Sequence, residues 1–181
     1  MNDATNIVFG KKAVQNMHFG DLHIPADLKQ PRIEYVDGVA RPCHFESLEN
    51  GDWALAYLEY GGHQLAIPPI RFERMTTAQD FLYYNPKSTS FAGLEFPVLK
   101  NADAMYAECK KCRDVCLEYP VLETAKDMFR NAGLEAAQID AILGHLPAYT
   151  SGSHIITFTG CPGASGCTPS IGTTKGWTVQ V

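Results

Sequence analysis

The cysteines are the residues with the clearest chemical potential in this sequence. Three of them, Cys109, Cys112 and Cys116, fall within eight residues, and two lysines and one arginine lie between them. If this segment is a helix, the three thiols share one stripe, and positive neighbours favour the thiolate form that metal ions bind. We therefore expect at least two of the three cysteines to ligate a metal. The alternative is that all three are small packed core residues.

The spacing of these cysteines limits the choice of metal. On an intact helix Cys109 and Cys116 are about 10.5 Å apart, whereas thiolates that share one zinc lie about 3.8 Å apart. Zinc would therefore use two of the three thiols with a remote ligand such as Cys43. Metal ligation by all three thiols would require an iron–sulfur cluster or a broken helix. The run resembles the last three ligands of the bacterial ferredoxin pattern C-x2-C-x2-C-x3-C-P, with Tyr106 replacing the first cysteine and Leu117 the proline. This resemblance implies a cluster with a remote fourth ligand.

A second candidate site surrounds Cys43. Cys43 and His44 are neighbours on a predicted strand, so their side chains point to opposite faces. Cys43 then faces the core as the remote thiolate, and His44 pairs with Glu46 as an acid and base on the exposed face. The alternative is one buried thiol and an ordinary solvated polar face.

A third candidate site is the glycine-rich segment that contains Cys161 and Cys167. Its C-x5-C spacing is compatible with a local disulfide, a metal-binding loop or a nucleophile with a resolving partner. The alternative is a flexible turn with two incidental thiols.

These candidates leave three classes of function open. The first is a metal-binding accessory or electron-transfer protein that uses helix thiolates. The second is a cysteine-dependent enzyme acting on a small molecule, with Cys161 or Cys167 as nucleophile and a histidine as base. The third is a precursor or assembly subunit that acts through its C-terminal tail, on which we expect a protein partner or a second copy of the chain to dock.

Composition narrows the setting in which this chemistry would occur. The chain has 181 residues, 45% of them hydrophobic, which suits one domain with a sizeable core. Its formal net charge of −5 argues against a protein held on nucleic acid by phosphate contacts. It contains no apolar run of the roughly 18–20 residues that a membrane helix needs, and its first residues do not resemble a signal peptide. We expect a cytoplasmic protein with reduced thiols.

The hydrophobic pattern predicts an α+β fold. An antiparallel β-meander is expected over about 32–74, because tight-turn dipeptides separate short apolar runs. The dipeptides are Asp37-Gly38, Asn50-Gly51 and Gly61-Gly62, and the strands are expected at 32–36, 39–46, 53–60 and 63–68.

After the meander the period changes to that of helices. A short helix is expected near 77–85, followed by helices over about 102–118, 120–133 and 135–146 that form a small three-helix bundle. Residues 150–181 form a Gly-, Ser- and Thr-rich tail without acidic residues. In this tail 155–159 is expected to pair with the body's sheet, and the loop from Cys161 to Cys167 is expected to lie at the surface. We expect one domain over 1–149 with this tail attached, and we detect no internal repeat.

Overall fold

The computed structural model describes residues 31–59 and 64–181. It also describes the backbone of a short antiparallel pair near the N-terminus, β1 (Val8–Phe9) and β2 (Lys12–Ala13). The rest of the predicted N-terminal arm and the predicted Gly61-Gly62 turn lie outside the described residues.

The first predicted hairpin is confirmed. Strands β3 (Arg32–Val36) and β4 (Val39–Cys43) pair antiparallel around Asp37 and Gly38, whose φ angles of 50° and 77° are those that a tight hairpin turn requires. The rest of the predicted meander is wrong. Strand β5 (Gln64–Leu65) pairs parallel with β4, and residues 52–59 form consecutive turns instead of a strand.

The body of the protein is a solenoid of stacked coils. Parallel bridges join Asn50 to Thr77, Thr77 to Asn101 and Asn101 to Thr124, at spacings of 27, 24 and 23 residues. A fourth bridge joins Ala125 to Ile156. These bridges define coil 1 (50–76), coil 2 (77–100), coil 3 (101–123), coil 4 (124–154) and a closing segment (155–181). The expectation of no internal repeat is therefore wrong, since each coil pairs mainly with its neighbours, as in repeat proteins.

Short parallel strands strengthen the stack on its other sides. Strand β6 (Ile70–Arg71) pairs with β8 (Leu94–Glu95), and β7 (Ser90–Phe91) pairs with β9 (Asp114–Val115).

The predicted three-helix bundle is absent, and the turns of the solenoid explain the error. The buried residues of coil 3 include Ala102, Met105, Tyr106 and Cys109, which have the i, i+3, i+4, i+7 spacing of a helix. The same spacing arises here from successive β-turns, in which every fourth residue has a positive φ that a right-handed helix excludes. Residues 102–118 and 120–133 therefore form coils.

Of the predicted bundle only the last helix exists, as α1 (Ala136–His145). It begins with a capping box between Glu135 and Gln138 and buries Ile139, Ile142 and Leu143. The one other α-helix in the described part of the chain is a single turn, α2 (Ser170–Thr173). No described helix has the length and apolarity to cross a membrane.

Aromatic rings stack through the core with one ring from each coil. Their centroids are 5.0–6.0 Å apart in nearly parallel planes, close to the spacing of paired strands. One stack contains Phe72, Phe96 and Tyr119, and the other contains Tyr106, Phe129 and Phe158.

The closing segment ends the stack with two parallel strands. Strand β10 (His154–Thr157) pairs with β11 (Trp177–Gln180), and Ile156 of β10 also pairs with Ala125 of coil 4. The predicted pairing of the tail with the body is confirmed by that bridge.

Candidate functional site

The three clustered thiols point into the core of the solenoid. Cys109 and Cys112 are fully buried, and Cys116 is nearly so. Each thiol donates a hydrogen bond to a main-chain carbonyl: Cys109 to Leu82 at 3.2 Å, Cys112 to Asp114 at 3.4 Å and Cys116 to Glu118 at 3.5 Å. The thiols thus serve as donors to main-chain carbonyls.

Burial keeps these thiols protonated. It raises the pKa of Cys109 well above its usual value and that of Cys112 to about 12. The Arg113 charge does lower the pKa of Cys112, as the sequence analysis expects, but burial outweighs it.

An asparagine occupies the interior position of coil 2 that Cys109 occupies in coil 3. The Asn85 amide donates to the carbonyls of Leu55 and Leu82 at 2.8 and 2.9 Å and accepts from the Glu59 amide at 3.1 Å. Cys109 donates to the same Leu82 carbonyl from the next coil. At this interior position coils 2 and 3 therefore each place a donor that bonds to the preceding coil.

Cys43 lies apart from the cluster in sequence, at the end of β4. Its thiol is 3.8 Å from the Arg41 carbonyl, and burial raises its pKa. Within residues 31–59 and 64–181, no three His, Cys, Asp or Glu side chains lie close enough together to hold a metal ion. Metal binding by Cys43, Cys109, Cys112 and Cys116, as iron–sulfur or zinc, stays a prediction.

The two tail thiols differ in burial. Cys161 is buried, donates to the Phe129 carbonyl at 3.0 Å, and has its pKa raised to about 11 by burial. Cys167 is partly exposed and donates to the Ala164 carbonyl at 3.2 Å. The loop was expected at the surface, but its Cys161 end packs inside the closing segment. A nucleophilic role for either thiol stays a prediction.

The expected His44–Glu46 pair does form. His44 follows β4 with a φ of 60°, and its Nδ1 is 3.6 Å from Glu46 Oε1. Both side chains line an open cleft of about 410 Å³ walled by Pro42, Pro68 and Pro69. Their acid–base role stays a prediction.

A surface cluster of four aromatic rings, which we call the aromatic cluster, lies on coils 1 and 2. Trp53 and Tyr57 are 51% and 47% exposed, and their ring planes are within 3° of parallel at 6.4 Å. Tyr83 packs edge-on against both, at 6.0 Å from Trp53 and 5.3 Å from Tyr57. Tyr84 completes the cluster at 5.6 Å from Tyr57. The four rings are in contact with one another, and two of them, Trp53 and Tyr57, are about half exposed.

Three aspartates, which we call the acidic row, lie beside this cluster. Asp52, Asp80 and Asp103 come from coils 1, 2 and 3. Burial raises the pKa of Asp80, and the charges of Asp52 and Asp103 raise it further, while Gln79 and Arg130 oppose the shift. The Asp80 charge also contributes to the raised pKa of Tyr57. The Asp80 carboxylate of the acidic row is thus close enough to the aromatic cluster for its charge to act on Tyr57.

This surface was not predicted, because Trp53 and Tyr57 lie within the strand expected at 53–60. In the solenoid they are the two residues of their turn segment with positive φ, at 61° and 59°, and they face solvent. The available signal was the pair of aromatic residues four positions apart, followed one coil later by the adjacent tyrosines 83 and 84.

Comparison of the chain with protein-family models, with curated proteins and with solved structures found no match.

Proposed function

We propose that this protein is a solenoid binding module on which a polypeptide segment of a partner docks against the aromatic cluster. One observation carries the proposal: Trp53 and Tyr57 are about half exposed although the fold has a well-formed aromatic core. Exposed contiguous aromatic surface is typical of interaction sites, and Trp and Tyr are the residues most enriched at binding hot spots.

The backbone beneath the cluster is held by the neighbouring coil. The Trp53 amide donates to the Gln79 carbonyl at 3.0 Å, and the Tyr57 amide donates to the Tyr83 carbonyl at 2.9 Å. The rings above this backbone pack against one another, so they lose little conformational entropy when a ligand binds, which favours affinity. Repeat solenoids commonly use such an extended, rigid surface for binding.

The test is selection of binders from a random peptide library on the whole protein. We expect enriched peptides whose binding is lost with Trp53→Ala and Tyr57→Ala. The matched control is Tyr35→Ala, since Tyr35 is exposed to a similar extent on the β3–β4 hairpin. The proposal would be contradicted if the selected peptides bound all three variants with the same affinity as the unmodified protein.

A further inference from the structure

We infer that the occupant of the aromatic cluster is an arginine side chain of the partner segment, held between the rings and the acidic row. This inference rests on the proposed function and names the chemistry that the site recognises. Three features support it: the fixed position of the carboxylates, the state of Asp80, and the fit of a guanidinium to both groups.

The outer carboxylates of the row are fixed by the coil that follows each of them. Asp52 Oδ1 accepts bonds from the Thr77 hydroxyl at 2.7 Å and the Gln79 amide at 2.8 Å. Asp103 repeats the arrangement two coils later, with the Thr124 hydroxyl at 2.7 Å and the Lys126 main-chain amide at 2.8 Å. The same contacts thus hold a carboxylate in place on coil 1 and on coil 3.

Asp80 is the member of the row with the least compensation. Asp80 is 7% exposed, and its carboxylate accepts a hydrogen bond of 3.2 Å from the side-chain amide of Gln79. In the part of the chain that the structure describes, no lysine, arginine or histidine forms an ion pair with it. Gln79 and the charge of Arg130 offset only part of the cost of burying this carboxylate, since the pKa of Asp80 stays raised. A cationic ligand would therefore add attraction at Asp80.

The combination of rings and carboxylates favours a guanidinium over other groups. Cations bind over the faces of Trp and Tyr, and a planar guanidinium also stacks on them while bonding to carboxylates. A neutral ligand would gain from the rings but nothing from the row. On coil 4, Lys126 and Arg130 occupy the positions that follow Asp103 and Ala107 along the stack. Because these positive charges would repel a cation, the partner's arginine is expected over coils 1–3.

The experiment uses three fluorescein-labelled Gly/Ser peptides that are identical except at two positions, which hold arginine, citrulline or lysine. Citrulline keeps the shape of arginine and removes its charge. With the whole protein we expect the arginine peptide to bind, the citrulline peptide to bind about tenfold or more weakly, and the lysine peptide to have an affinity between the two. Higher salt should reduce the affinity of the arginine peptide most.

Variants separate this inference from the proposed function. Asp80→Asn should weaken the arginine peptide about three- to tenfold and leave the citrulline peptide unchanged. Asp37→Asn, in the β3–β4 turn, removes the same charge elsewhere and should change neither. Trp53→Ala should weaken the arginine peptide strongly.

Five outcomes would count against one or both proposals. Equal binding of the arginine and citrulline peptides, an Asp80→Asn variant with unchanged affinity, or no binding of the arginine peptide up to about 1 mM would overturn the inference. If library peptides without basic residues still bind in a Trp53-dependent way, the proposed function stands and the inference alone fails. Binding that Trp53→Ala leaves intact overturns both. Circular dichroism verifies that each variant is folded.

Discussion

The thiol of Cys109 donates a hydrogen bond to the main-chain carbonyl of Leu82, 3.2 Å away on the preceding coil. The Asn85 amide reaches the same carbonyl from within coil 2, and the Cys161 thiol makes the matching bond to Phe129 from the closing segment. Turn segments buried against one another leave carbonyls that need donors. Cysteine and asparagine supply those donors at one repeated interior position.

Asn85 should matter more to stability than Cys109. Asn85→Ala leaves the Leu55 carbonyl and the Glu59 amide without these partners in the core, and we expect a loss of about 2–4 kcal/mol in the free energy of unfolding. Cys109→Ala removes one weaker donor from a carbonyl that Asn85 still serves, with an expected loss of about 1–2 kcal/mol. Urea unfolding of both variants measures this, and the reverse order would show that the shared position does not work as described.

The buried thiols make the protein sensitive to alkaline pH. The pKa of Cys112 is raised from 9.0 to about 12 in the folded state. A raised pKa adds stability that is fully present below pH 9 and lost as the pH rises towards 12, because only the unfolded state ionises over that range. The unfolding free energies of the wild type and Cys112→Ala should therefore converge between these values. Cys167→Ala, at a partly exposed thiol, is the control, and a gap that stays constant with pH would refute the effect.

The electrostatic character of the aromatic cluster can be measured through tryptophan fluorescence. Trp53 is exposed beside the acidic row, whereas Trp177 is buried and donates to the Pro147 carbonyl at 2.8 Å. In a Trp177→Phe variant that retains only Trp53, we expect caesium to quench the emission more strongly than iodide, since negative charge attracts the cation. Asp80→Asn should reduce that preference. Stronger quenching by iodide would mean that the surface is not acidic.

Asp80 should cost the protein stability near neutral pH. Because its folded pKa is raised above the usual 3.8, the wild type loses stability as the pH rises from 3.8 through the folded value, and the loss is complete above it. Asp80→Asn removes this loss of stability, because the asparagine side chain does not ionise. The melting temperature of the variant should exceed that of the wild type by more at pH 7 than at pH 3, while Asp37→Asn serves as the comparison. A difference independent of pH would argue against a strained carboxylate.

The metal prediction has a direct measurement. If Cys109, Cys112 and Cys116 bind iron or zinc, elemental analysis of protein purified without oxygen should find it in stoichiometric amount, and Cys112→Ser should release it. Coordination requires the thiols to lose their protons and their bonds to Leu82 and Asp114. Protein without bound metal would leave the three thiols as core hydrogen-bond donors.

Local signals in the sequence determined the elements whose geometry depends on a few neighbouring residues. The β3–β4 hairpin follows from Asp37-Gly38, which tolerates positive φ, and α1 follows from its capping box and apolar stripe. Periodicity alone predicts that Cys109 and Cys112 face inward. It does not distinguish thiols that pack in the core from thiols that bind a metal, so the sequence left both alternatives open.

Tertiary structure decided what that periodicity meant. Turns with a positive φ at every fourth residue and a helix bury the same i, i+3, i+4 and i+7 positions, so the pattern around Met105 and Tyr106 could not distinguish them. The choice depends on the pairing of residues 23 to 27 positions apart, such as the bridges of Asn101 to Thr77 and to Thr124. The exposure of Trp53 and its proximity to Asp80 depend on the same stacking, because residues from different coils meet only when the coils pair.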